Sequence, residues 1–95
     1  MAAYVVIVTG AISDPELMGQ YKEQAKELLV AQGVSFTGGP AVAETLEGSP
    51  PNAAAIIRFE TLEQAHGWYW SDEYQKLAAI RLAASSGMAF IVEGP

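Results

Sequence analysis

The chain contains no cysteine. That removes disulfides, thiolate metal sites and cysteine nucleophiles, and it fits a reducing compartment. Basic residues are scarce: five Lys and Arg stand against eleven Asp and Glu, for a formal charge of −6, and no basic run exists. Binding to a phosphate backbone needs clustered Lys and Arg, so nucleic acid is not an expected partner. An anionic membrane surface is disfavoured for the same electrostatic reason. Long hydrophobic runs are missing as well. Val5-Val6-Ile7-Val8 is too short to span a bilayer and lacks the charged start of a signal peptide. A soluble, cytoplasmic protein is the expectation. Histidine occurs once, as His66, and no carboxylates repeat at a ligand spacing. Zinc takes three or four protein ligands, so no metal site and no bound cofactor are expected.

What is present is an apolar chain of 95 residues, 51% hydrophobic and only 17% charged. It is long enough for one ordered core and too short for two, which predicts a single domain over residues 1–95. Tyr4-Val5-Val6-Ile7-Val8 is a β-branched run bounded by Thr9-Gly10 and reads as a buried strand. Ser13-Asp14-Pro15-Glu16 opens a helix, capped by Ser13 or by Asp14. Leu17, Met18, Tyr21, Ala25, Leu28 and Leu29 share one face of that helix, with Lys22, Glu23, Lys26 and Glu27 on the other. Gly33 is placed to end it.

Gly38-Gly39-Pro40 reads as a bend or bulge, and the alternation in Val42-Ala43-Glu44-Thr45-Leu46-Glu47 predicts a half-exposed strand. After the turn Gly48-Ser49-Pro50-Pro51-Asn52, Ala54–Phe59 reads as another buried strand. Thr61-Leu62-Glu63-Gln64 has capping-box spacing, and Ser71-Asp72-Glu73 a second cap, so the second helical region should break there and restart. Ser85-Ser86-Gly87 reads as a turn into a last strand, Met88–Val92. The order β-α-β-β-α-β predicts an α+β, ferredoxin-like fold: a four-stranded antiparallel sheet with both helices on one face. A sheet face left to water should alternate apolar and polar residues. Here the first, third and last strands are apolar on both sides apart from Arg58. The expected cover is a second copy, a symmetric homodimer through the exposed sheet face; the alternative is that the hairpin or C-terminus folds over it.

The densest stretch is Trp68-Tyr69-Trp70-Ser71-Asp72-Glu73-Tyr74-Gln75-Lys76-Leu77, followed by Arg81. With Asp14-Pro15-Glu16, Tyr21, Gly38-Gly39, Leu46-Glu47-Gly48, Ile57-Arg58-Phe59 and Val92-Glu93-Gly94, it resembles the domain-of-unknown-function 1330 (DUF1330) family of the dimeric α/β-barrel superfamily over nearly the whole length. The resemblance implies two subunits packed sheet to sheet into a barrel-like dimer, and no established activity. Two positions depart from the family pattern: Thr37 stands where a basic residue is common, and Trp70 where a polar one is.

Several residues are candidates for chemistry, each with a plainer alternative. Arg58, expected to be buried in an otherwise apolar strand, is either a clamp for a carboxylate or enolate-like ligand or one half of an ion pair with a glutamate such as Glu44 or Glu47 on a neighbouring strand, or across the dimer. Arg81 has the same choice, with helix-dipole placement as its alternative. His66 is either a proton-transfer group or an exposed helix residue. Tyr21, Trp68, Tyr69 and Tyr74 either line a pocket or pack the core. No phosphate cradle or hydrolytic triad is present. The resulting expectation is a homodimeric small-molecule binding protein with a pocket between sheet and helices, taking a small organic ligand, an anionic one included. A cofactor-independent enzyme of monooxygenase or isomerase type, by superfamily analogy, and a structural subunit are the alternatives.

Overall fold

The computed structural model describes residues 1–95. Strand β1 (Ala2–Ile12) runs into helix α1 (Pro15–Gln32), strand β2 (Phe36–Ala41), strand β3 (Ala53–Phe59), helices α2 (Leu62–Tyr69) and α3 (Asp72–Ala84), and strand β4 (Ser85–Gly94). The sheet order is β2-β3-β1-β4, and every neighbouring pair is antiparallel. This is the ferredoxin-like α+β arrangement.

Local chemistry sets the helix ends. Asp14 caps α1 by accepting from the Leu17 amide at 3.0 Å, with Pro15 in the first turn, where its missing N–H costs nothing. Gly33 closes α1 at φ 69°, a left-handed conformation that side chains with a Cβ resist. Thr61 caps α2 by accepting from the Gln64 amide. Trp70 ends α2, and the Ser71 hydroxyl accepts from the Tyr74 amide to start α3, so the expected break occurs there. Three helices therefore cover the sheet, the second helical region being two.

The core lies between the helices and one sheet face. Val5, Ile7, Ile57 and Phe59 point into it, against Met18, Tyr21, Ala25 and Leu29 of α1 and Tyr74, Leu77 and Ala78 of α3. Alternation sends Tyr4, Val6, Val8, Ala54, Ile56 and Arg58 to the other face, where β4 adds Met88, Phe90 and Val92. No segment of the chain covers that face: Met88 is 59% and Val92 50% exposed. The C-terminus only reaches the Tyr4 hydroxyl, which donates to the Pro95 carbonyl at 2.7 Å.

Two strand expectations are corrected. The strand beside β3 is Phe36–Ala41, not 42–47. Ala41 pairs with Ala54 at the start of β3, so continuation would run past the partner strand into Pro50-Pro51, which cannot donate to a ladder. The alternating segment is left outside the sheet, with Val42 and Leu46 more than 80% exposed. The glycine pair lies inside β2 as a bulge, with register shifts on both sides of Gly38. Gly39 has φ 64°, and a Cβ there would fall 2.2 Å from the Ala54 carbonyl oxygen. Ser85-Ser86-Gly87 is likewise not a turn. It opens β4 directly after α3, because Ser85 is extended and its amide still bonds the Arg81 carbonyl.

Candidate functional site

A cavity of about 510 Å³ opens between α1 and the β1-β3-β2 part of the sheet. Fourteen of its nineteen lining residues are hydrophobic, among them Met18, Leu29, Phe36 and Ile57, so its walls are largely apolar. Its size lies within the roughly 300–1,000 Å³ of small-molecule sites. The Tyr21 and Tyr74 hydroxyls meet 2.8 Å apart in the buried interior, and both residues line the cavity. Tyr21 comes from the buried face of α1. Tyr74 comes from the first turn of α3, where the Ser71 cap positions it.

Burial pushes both tyrosines above the ordinary phenol value, Tyr21 most strongly, with its neighbour Tyr74 adding to the rise. Arg81, two turns beyond Tyr74 on the same face of α3, opposes the rise on both. Arg81 is 4% exposed, and its Nε has no hydrogen-bond partner. No carboxylate pairs with it: the one ion pair in the structure joins Arg58 and Glu60. Trp68 stacks on Tyr74 with ring centroids 4.2 Å apart, and its indole N–H donates to Gln32 at 2.9 Å, tying α2 to the end of α1.

The sequence-derived candidates divide. Tyr21, Trp68 and Tyr74 line the main cavity, and Arg81 lies behind them. Tyr69 lines a second, wholly apolar hollow of about 400 Å³ beside Trp70 and Phe90. Its ring also meets that of Tyr74 in the first group, 5.4 Å between centroids. His66 is exposed on α2 and lines neither.

Arg58 requires a correction. It is not buried: its side chain is 42% exposed on the open sheet face. Its partner is Glu60, at 2.8 Å, rather than Glu44 or Glu47, and that bond raises its pKa. Tyr4 stands opposite it in the sheet, also holding the charge. The segment with Glu44 and Glu47 never reaches the sheet, which is why neither pairs with it.

Sequence reasoning missed Lys22 and Lys26. Read as the solvent face of α1, they are exposed but flank the cavity. Their position next to Tyr21 and Ala25, both on the buried face, was the available signal. No three His, Asp or Glu side chains gather as a metal-ligand set. No helix is long and apolar enough to cross a membrane.

No curated protein matches the chain in sequence. Several solved structures share its fold. A dimeric ferredoxin-like protein of unknown function from Jannaschia sp. CCS1 superposes with a TM-score of 0.75 at 12% identity, over 99% of this chain and all of that one. A dimeric protein of unknown function and ferredoxin-like fold from Bacteroides fragilis gives 0.65 at 14% identity, over 98% and 95%. Hydroxynitrile lyase from Passiflora edulis gives 0.63 at 11% identity, over 99% and 94%. The model of a domain of unknown function, DUF1330, matches residues 2–95, and the chain belongs to that family.

Proposed function

We propose that this protein is a homodimeric, single-domain small-molecule binding protein of the cytoplasm, holding its ligand in the cavity between α1 and the sheet. The observation that carries the reading is the cavity itself: apolar walls of the right volume around one buried pair of hydroxyls. A site so built gives shape and one polar anchor, which is what binding requires. The dimer rests on the open sheet face. Across it Val8 stands between Ala54 and Met88, and Val6 between Ile56 and Phe90. Water is an unfavourable cover for such a surface, and similarly folded proteins are dimers.

Catalysis without a cofactor is the second reading. It is favoured by one observation, two buried tyrosine hydroxyls in contact beside a guanidinium, an arrangement able to hold a proton or steady an oxyanion. The likeness in fold to a hydroxynitrile lyase agrees with it, though function resides in sites rather than folds.

Native mass spectrometry of the protein gently purified from its own host tests the first reading. A dimer carrying a reproducible extra mass, lost on denaturation, is the expected result. A monomer would overturn the assignment of the sheet face. A dimer with an empty cavity that also takes up no added small molecule would overturn the binding role.

A further inference from the structure

The distribution of charge around the cavity is the reverse of that in the chain as a whole. Acidic residues outnumber basic ones eleven to five. Yet the nineteen lining residues include Lys22 and Lys26 and not one Asp or Glu. With Arg81, behind the tyrosine pair, three of the five basic side chains gather at this place. A guanidinium cannot shed its proton, and at 4% exposure it has lost most of its water. The C-terminal end of α3 offers roughly half a negative charge, and the Ser85 hydroxyl donates to the Arg81 carbonyl rather than serving the guanidinium. Arg81 Nε remains without an acceptor. A buried cation with no anion is unusual enough to need one from elsewhere.

The hydroxyl pair can transmit that need. Arg81, two turns along the same buried face of α3, favours negative charge on the Tyr74 oxygen. Either hydroxyl can donate across their 2.8 Å contact; an anion reaching Tyr21 selects the order in which Tyr74 donates to Tyr21 and Tyr21 donates to the anion. A negatively charged oxygen arriving there meets a donor polarised by a cation behind it, and two lysines stand at the mouth.

We infer that the cavity takes a small, largely apolar organic acid, bound as its anion with the carboxylate against the Tyr21 hydroxyl and the apolar body among Met18, Leu29, Phe36 and Ile57. The inference rests on the pocket reading above and adds the chemical class of the ligand. It moves the anion-recognising role from Arg58, which faces the other side of the sheet, to Tyr21, Tyr74 and Arg81.

Calorimetric titration of the intact protein with octanoate and hydrocinnamate, each against its neutral primary amide, tests it. Each acid should bind at least about tenfold more tightly than its amide, because a charge-assisted bond is roughly twice as strong as a neutral one. Tyr21→Phe, which keeps the ring and the packing, should bring acid and amide within about twofold of each other. Arg81→Met should do the same. Should Arg81→Met not fold, Tyr21→Phe and a Lys22→Gln/Lys26→Gln double variant carry the test, the latter lowering acid affinity and leaving amide affinity unchanged. Amides binding as tightly as acids, or an acid preference that survives Tyr21→Phe, would overturn the inference while leaving the pocket reading intact. Binding of neither acid nor amide would overturn both.

Discussion

Replacing Arg81 by methionine should separate stability from recognition. Methionine is apolar and long enough to fill most of the space occupied by the arginine stem. The guanidinium it removes is 4% exposed, has no carboxylate partner and has an unpartnered Nε. Burying an ion costs several kcal/mol after relaxation. Against this stand the α3 dipole, about 0.3–1 kcal/mol, and the attraction of the Tyr74 oxygen, which even as a full hydrogen bond to a charged group would give no more than about 1.5–3 kcal/mol. The balance predicts that Arg81→Met leaves the ligand-free protein unchanged or more stable by about 1–2 kcal/mol. For a domain of this size that is a rise of roughly 4–16 °C in Tm. Urea and thermal unfolding followed by circular dichroism, at matched protein concentration because a dimer's stability depends on it, would measure the change. The same variant should lose its preference for acids. A destabilisation of 2 kcal/mol or more, on the order of that from breaking a satisfied buried pair, would refute the reasoning. It would mean that the guanidinium already has its anion in the resting protein.

Three further outcomes follow from the geometry. Tyr21 and Tyr74 are favoured in their neutral form by burial, so their contribution to stability is intact below the ordinary phenol value of 10.0 and is lost as pH rises above it. Near-ultraviolet titration should therefore show these two phenols ionising only as the fold unravels, and ionisation of all four with the far-ultraviolet signal unchanged would contradict this. Phe90→Glu places a charge at the centre of the open sheet face, opposite Val6, and should convert the proposed dimer to a monomer in sedimentation velocity; an unaltered dimer would place the interface elsewhere. Gly39→Ala forces a Cβ into the Ala54 carbonyl at a left-handed backbone position and should cost about 2 kcal/mol or more by chemical denaturation. Gly19→Ala, in open space on α1, serves as its control and should cost nothing.

The elements whose signals are local were legible in the sequence. The caps at Asp14, Thr61 and Ser71 and the stop at Gly33 depend on residues within four positions of one another, and each appears in the structure. The apolar runs of β1 and β3 likewise marked buried strands, and that of β4 a strand that is exposed on the open face. The failures were non-local. Alternation in 42–47 promised a strand, but whether a strand forms depends on a free partner, and β3 begins at Ala53 with its ladder filled by Phe36–Ala41. Arg58 looked buried because its neighbours in the chain are apolar, whereas the pleat turns it to the open face, toward Glu60. Within the site, Tyr21, Trp68, Tyr74 and Arg81 come together only through the packing of α1 on α3 and α2. Their residue types suggested a pocket, but the contact between Tyr21 and Tyr74 spans 53 positions and had no sequence signature. Lys22 and Lys26 escaped notice because a cavity beside a helix can draw on residues flanking its buried stripe.

The central claim is that a small molecule occupies the cavity between α1 and the sheet, and the two tryptophans report on it separately. Trp68 lines that cavity, with its indole N–H bonded to Gln32, whereas Trp70 is 65% exposed beside the second hollow. The indole N–H resonances should be followed by nuclear magnetic resonance as octanoate is added to the intact protein. A saturable shift of the Trp68 signal with Trp70 unmoved is the predicted result. A shift of Trp70 alone, or no saturable shift of either, would contradict the account.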